Sequence, residues 1–323
     1  MTFPPRRQRG VALLVALLVV ALAVILIAAL LDRGELALAR TRNLLRGEQA
    51  EAYAQGLELY AAQVLTAADA DGVDSNTSAW AVPLPPQPVP GGTIGATMRD
   101  LNGCFNLNNL APAAAGGDPD AWQPVFERLL GALHLVDAKL APALRSWLDA
   151  NADDADAAAY LALPVPYRPR RGAFVHVSEL RLVAGVGDAL YAALAPYVCA
   201  LPPGTTINPN TASVPVLMSI APEITQAIAE KIWNDGHASY VDADALAAAA
   251  GLRTLSLPPT MYAFRSRYFL ARGEVVLDAV PFTFFSLIER GDRVRVVERS
   301  RGSDDALAVA APVASGDAAA AAR

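Results

Sequence analysis

From Val11 to Leu31 no side chain is charged or polar. At about 1.5 Å of rise per residue, some 20 apolar residues in helical form span the roughly 30 Å hydrocarbon core of a bilayer. A run of this length fixes the first element as a helix and makes the remainder a body tethered to, or delivered through, a membrane. Arg6, Arg7 and Arg9 precede the run, and Asp32 and Glu35 follow it. By the positive-inside rule, that asymmetry sets the N-terminus in the cytoplasm and the body outside it. The alternative is a cleaved signal peptide, whose apolar region ordinarily covers about 7–15 residues and closes on a small-residue site.

The helical pattern does not stop at the membrane. Ala52/Tyr53, Gly56/Leu57, Leu59/Tyr60 and Gln63/Val64 recur at three- and four-residue steps and read as the buried stripe. Arg46, Glu48, Glu51 and Glu58 read as the opposite, solvated face. One helix, half in lipid and half packed on a soluble body, is expected to end near Asp69, where "DADGVDSN" supplies turn formers.

The body divides by pattern. "AVPLPPQPVPGG" at 81–92 carries five prolines, which exclude helix and central strand, and reads as a connecting loop. Gly95–Leu101 reads as a strand that turns at Asn102-Gly103, a hairpin signal. Near the other end, the stretch from Ser266 to Ser300 reads as two or three antiparallel strands, with turns at its Arg-Gly and Arg-Gly-Asp sequences. Residues 109–260 have helical spacing and caps, with starts at Ser178-Glu179 and at Asn210-Thr211 before Val214-Pro215. "ELRLVAGVGDALYAALAPYV" and "VLMSIAPEITQAIAEKIWND" within them look like two helix-hairpin-helix units. Such units either hold phosphate on hairpin amides or serve as packing scaffold; Asp188 directly after Gly185-Val186-Gly187 repels phosphate. The alanine-rich end, 303–323, reads as a disordered tail.

Little chemistry is written in the chain. Net charge is −6, which argues against a non-specific polyanion binder. His134, His176 and His237 are scattered, and no nucleophile elbow, zinc-protease or phosphate-loop motif occurs, so catalysis is not expected. Asp149, Asn151 and Asp153, with Asp154 and Asp156, place oxygens at alternate positions, as in the opening of a calcium loop. Tyr160 stands where the closing glutamate would be and Asp154 where the turn glycine would be, and a solvated acidic linker is the other reading. The loop 69–76 has similar oxygens. Cys104 and Cys199 are the two cysteines. Outside the cytoplasm they either form one disulfide, with a loop-closure contribution on the order of 4–5 kcal/mol, or remain two unrelated buried thiols.

A basic leader ending in Gly10, followed by a membrane helix that enters a soluble domain, resembles the type IV pilins and pseudopilins. That resemblance implies cleavage by a prepilin peptidase between Gly10 and Val11. The family usually places glutamate five residues into the mature chain; Val15 stands there. With "RDLNGCFNLNNL", "WLDANADDAD", "VSELRLVAGVG", "INPNTASVPVL" and "SRYFLARGEV" in order, the chain resembles the K-type minor pseudopilins of type II secretion (general secretion pathway protein K). The resemblance implies an α+β fold, a pilin-like long N-terminal helix on a small antiparallel sheet, with a large inserted all-α domain holding the two helix-hairpin-helix-like (SAM-like) units. It divides the chain into a leader (1–10), a transmembrane helix (11–31), spine helix and first strands (32–108), the helical insertion (109–260), C-terminal strands (261–302) and tail (303–323). It also implies a place at the tip of a periplasmic pseudopilus anchored in the bacterial inner membrane, N-terminus cytoplasmic. The partners implied are the I-type and J-type minor pseudopilins and other pseudopilins, with no nucleic acid, and calcium as the cofactor, on Asp149, Asn151, Asp153 and Asp156. A membrane-anchored DNA-binding protein of the competence kind and a secreted enzyme are the alternatives.

Overall fold

The computed structural model describes residues 9–68, 72–135, 139–253 and 258–301. The leader residues 1–8, the tail at 303–323 and the first part of the loop 69–76 lie outside the described residues. The chain forms two compact units that divide between Tyr53 and Ala54, and helix α1 (Arg9–Ala68) contributes to both. In the first unit the large apolar side chains from Val11 to Leu31 are exposed.

In the second unit, α1 buries Ala54, Leu57, Ala61, Leu65 and Ala68, one face at three- and four-residue spacing. This corrects the expected stripe. Leu59 is 70% and Tyr60 42% exposed, while Glu58, expected on the solvated face, is buried. The reason is steric: alanines at 54, 61 and 68 bring the helix close to its sheet, and bulkier side chains on that line would hold it off. Leu57 and Leu65 supply the apolar area, about 2 kcal/mol each by transfer.

That sheet has the order β1 (Leu84–Val89), β2 (Gly92–Asp100), β5 (Tyr268–Leu277), β6 (Val280–Arg290), β7 (Val294–Arg301), antiparallel throughout. A separate parallel pair, β3 (Phe105–Asn106) and β4 (Val198–Cys199), lies within the helical region. The proline-rich stretch is thus an edge strand rather than a loop. β1 pairs only with β2, so Pro85, Pro86 and Pro88 need no N–H on their free side, and the register slips between Leu84 and Gln87. Its turn is Pro90-Gly91, with Gly91 at φ +88°.

One expected hairpin and one expected turn are absent. The chain does turn at Asn102-Gly103, the Cys104 N–H donating to the Leu101 carbonyl at 3.5 Å, but it then leaves the sheet instead of pairing back. An added Cβ on Gly103 would meet the Thr211 carbonyl oxygen at 2.7 Å. Arg272-Gly273 lies within β5, paired with Thr97-Ala96 on one side and Phe285-Phe284 on the other. The β5–β6 turn falls at Asp278-Ala279, both with positive φ. Gly273 serves close approach, since a Cβ there would sit 3.1 Å from Leu57 Cδ1 of α1.

Between β2 and β5 the chain is mainly helical: α2 (Pro119–Ala132), α3 (Leu140–Leu148), α4 (Asp154–Leu161), α5 (Asp188–Leu194), α6 (Val214–Ile220), α7 (Gln226–Trp233) and α8 (Ala243–Ala250). Their apolar faces share one core that includes Phe105, Phe126, Leu144, Trp147, Leu180, Leu217 and Ile232. Both repeat units fold as helix, turn, helix: a 3₁₀ turn (Val177–Leu182) and α5 around Gly185, then α6 and α7. The first begins at His176 rather than Ser178, with the imidazole accepting from the Ser178 N–H and Glu179 reaching back to the His176 N–H.

Gly273→Val is expected to destabilise the second unit by about 1–3 kcal/mol, because its γ-carbons displace Leu57. A urea titration followed by tryptophan fluorescence measures this; an unchanged midpoint means α1 does not depend on the close approach.

Candidate functional site

Two features of the chain can carry function, the membrane-length helix and the joint between sheet and helical region. Within Val11–Ala68 the helix contains a window long and apolar enough to cross a membrane, none of it buried. Gly10 and Val11 are helical residues of α1, and Val15 is 54% exposed. A side chain in this window faces solvent or lipid.

The joint is polar and buried. Asp100, the last residue of β2, holds four donors: the Asn102 N–H at 2.7 Å, the Ser266 and Thr211 hydroxyls at 2.5 Å each, and the Asn208 amide at 3.1 Å. Asp74 accepts from the Ser266 N–H at 2.7 Å, from Trp80 Nε1 at 3.0 Å and from the Arg290 guanidinium. Arg290 Nη2 also donates to the Ser266 carbonyl at 2.7 Å. Residues from the loop after α1, the end of β2, the segment before α6, the start of β5 and the end of β6 thereby meet at one point. Asp74 is committed here, which leaves it no part in a separate loop site.

An asparagine layer extends the joint into the helical region. Asn102 Oδ1 accepts from the Arg267 and Tyr268 N–H groups at 3.1 and 3.0 Å. Asn108 bonds both backbone groups of Phe174, at 2.8 and 2.9 Å, and Asn210 those of Tyr240, at 2.7 and 3.0 Å. An amide side chain carries a donor and an acceptor, so each acts as one rung of a β-ladder where no strand fits. Asn106 and Asn109 bond the Pro202–Thr205 turn in the same manner. These positions come from the segments "RDLNGCFNLNNL", "INPNTASVPVL" and "SRYFLARGEV". Nothing local in those segments indicates that they converge; their density of asparagine beside apolar residues is the one signal of a buried polar layer.

Electrostatics divide the buried acids. Desolvation raises the Asp100 pKa to about 6, against the hydrogen bonds of Ser266, Thr211 and Asn102, and the Asp74 charge adds to the rise. Burial also pushes Glu58 upward. There the bonds from Arg299 (2.7 Å to each carboxylate oxygen) and Ser286 (2.6 Å), with the Arg299 charge, prevail and hold the carboxyl below its usual range. Glu289, between Arg267 and Arg295, is held down likewise after its desolvation is overcome.

The remaining sequence candidates are dispersed. Asp149 follows α3 and its Oδ1 accepts from the Asn151 N–H at 2.8 Å. Asp149, Asn151 and Asp153 line one open depression with Gln123, Arg145 and Ser146. Asp156 is a residue of α4 whose side chain lies outside the described ones. Among the described residues no group of three His, Cys, Asp or Glu side chains is arranged to hold a metal ion. Cys104 and Cys199 come together. Both are buried free thiols, and both donate to the Leu101 carbonyl, at 2.8 and 3.4 Å. Of the histidines, His176 is the helix cap described above.

A model of the type II secretion system protein K family matches residues 103–203. The type II secretion system protein K of Pectobacterium carotovorum subsp. carotovorum is 34% identical over 324 residues, 92% of this chain and 97% of that protein. That of Pseudomonas aeruginosa is 35% identical over 318 residues, 92% of this chain and 94% of its own. A chain of the crystal structure of the GspK–GspI–GspJ complex of the enterotoxigenic Escherichia coli type 2 secretion system superposes with a TM-score of 0.69 at 27% identity, covering 82% of this chain and 99% of its own.

Replacing Asp100 by Ala removes the acceptor of the Asn102 N–H and of the Ser266 and Thr211 hydroxyls, while the Asn208 amide keeps the Asp74 carbonyl and Ser266 Oγ. The replacement is expected to cost about 3 kcal/mol at pH 7. The pH dependence has a definite sign. A carboxyl whose folded pKa is raised contributes stability that is complete below its unfolded value and lost as pH rises through about 6. The stability of the parent relative to Asp100→Asn should therefore fall between roughly pH 4 and 6, by on the order of 2–3 kcal/mol, and stay level above. Chemical denaturation across that range measures it; parallel curves for the two proteins would show that Asp100 does not titrate there.

Proposed function

The chain belongs to the type II secretion system protein K family, and from that premise we propose a minor pseudopilin that works by assembly and performs no catalysis. Its apolar helix is the membrane anchor. We place residues 1–10 in the cytoplasm and the body in the periplasm, the prepilin peptidase acting between Gly10 and Val11. The I-type and J-type minor pseudopilins are its partners at the tip of the pseudopilus. The observation that carries this reading is likeness along nearly the whole chain, to protein K relatives and to a chain crystallised in a GspK–GspI–GspJ complex.

Charge supports the tip position. A carboxylate at the fifth mature residue would neutralise the N-terminal ammonium of a neighbouring subunit inside lipid, where an unpaired charge costs several kcal/mol. Val15 supplies none, as suits a subunit with no other beyond it. The DNA-binding alternative is not favoured: Asp188 stands 93% exposed directly behind the hairpin glycines, where it repels phosphate.

Calcium belongs to the proposal through the oxygen donors of Asp149, Asn151 and Asp153, which share one depression. Ca²⁺ takes six to eight such oxygens, so backbone carbonyls or water complete the set. Bound there, the ion would fasten the α3–α4 turn.

In cells containing a prepilin peptidase, intact-mass analysis should find the chain beginning at Val11, and without the peptidase at Met1. A start near residue 28 in both would point to a signal peptide instead. Crosslinks that place this chain mid-filament would overturn the tip position. Millimolar calcium should raise the melting temperature of the full chain by a few degrees, and Asp149→Ala/Asp153→Ala should abolish the rise; an equal rise in both proteins removes these residues from the site.

A further inference from the structure

We propose that Cys104 and Cys199 are the site of an intramolecular disulfide that closes residues 104–199 into one covalent loop. The geometry points to it from both sides. Cys104 follows the exit from β2, and Cys199 ends β4, whose parallel pairing with β3 sets Asn106 opposite Cys199. Both sulfurs lie around one atom, the Leu101 carbonyl oxygen, at 2.8 and 3.4 Å. The chain holds two cysteines, so the pairing has no competitor within the molecule. The surroundings are apolar: Leu101, Leu201, Tyr268, Leu270 and Phe285 enclose the pair. The loop so closed nearly coincides with the segment 103–203 matched by the family model. The bond would fasten both ends of that segment where it meets the sheet.

The order of events follows from the burial. Both cysteines are buried, so an oxidase reaches them only before the core closes. Desolvation together with the contact with Cys104 also pushes the Cys199 thiol well above its usual pKa in the folded body. Oxidation therefore precedes closure of the core. One thiol attacks the disulfide of a periplasmic thiol oxidase, and the second displaces the oxidase from the mixed disulfide. The two cysteines lose two electrons and two protons, and the oxidase leaves as a dithiol. Once the core closes, the bond is shielded from exchange.

The inference rests on the periplasmic placement of the body proposed above, and the test separates the two. The full chain is produced in cells, spheroplasts are treated with protease to locate the body, and the protein is acid-trapped. It is then denatured and labelled with a maleimide–polyethylene glycol, with and without prior reduction. With a protease-accessible body, the expected result is a monomer that takes no label before reduction and two labels after it. Two labels without reduction, or a disulfide-linked dimer, on an accessible body overturns the disulfide. A protease-protected body overturns the placement. In the purified protein, reduction should lower the melting temperature by on the order of 10 °C. Cys104→Ser/Cys199→Ser should not respond to reductant; should that variant fail to fold, the labelling of the parent still decides.

Discussion

The body depends on the buried joint of Asp74, Asp100, Arg290 and Ser266. β2 and β5 are neighbours in the sheet, yet their contact closes the whole helical region as a loop between Asp100 and Tyr268. The entropy of closing a loop grows only with the logarithm of its length. A long insertion is therefore tolerable, provided that its two ends are held in register. The joint performs that task. Asp100 receives donors from both ends of the insertion, the Asn102 N–H at its start and Ser266 at its close, and from Asn208 and Thr211 between them, and Asp74 brings in Arg290 from β6.

Such a cluster is an unusual way to hold a fold, because two carboxylates and one guanidinium carry a net negative charge out of water. Burying an ion pair seldom gains stability over an apolar replacement of equal volume, but removing one partner alone is severe. What the cluster supplies is direction. Apolar contacts around Leu101, Leu270 and Phe285 would tolerate a shifted strand, whereas the short bonds to Asp100 form in one register. The asparagine layer works by the same logic. Asn108 and Asn210 close backbone groups of irregular segments that would otherwise be buried without partners.

How much of this was legible in the sequence depended on whether the signal was local. The apolar run, the end of α1 at Ala68 and the helical character between the two strand regions are periodic or capped locally, and the structure contains them. What could not be read depended on partners far along the chain. Prolines exclude a strand's interior but not its free edge, and only the position of β1 outside β2 makes the three within it harmless. Gly273 looked like a turn residue because glycine usually is one, yet its absent side chain admits Leu57 from more than two hundred residues earlier. Leu59 and Tyr60 read as buried by hydrophobicity, and alanine took that face because the sheet lies close. The joint was visible only as polar residues in apolar company, without any indication of which would meet.

The buried acids of the body also explain what a membrane helix must avoid. Glu58 and Glu289 are each bracketed by guanidinium groups and keep their charge at lower pH than free carboxyls. Asp100 has only neutral donors among its hydrogen-bond partners and moves the other way, toward proton uptake near pH 6. Pairing thus decides whether a desolvated carboxylate keeps its charge, and hydrogen bonds from neutral groups do not suffice. The hydrocarbon core is a harsher medium, and from Val11 to Leu31 the chain offers no cationic side chain. A carboxylate at position 15 would need its counter-charge from another molecule, whereas valine there needs none, so the requirement for a partner at that depth is removed by sequence.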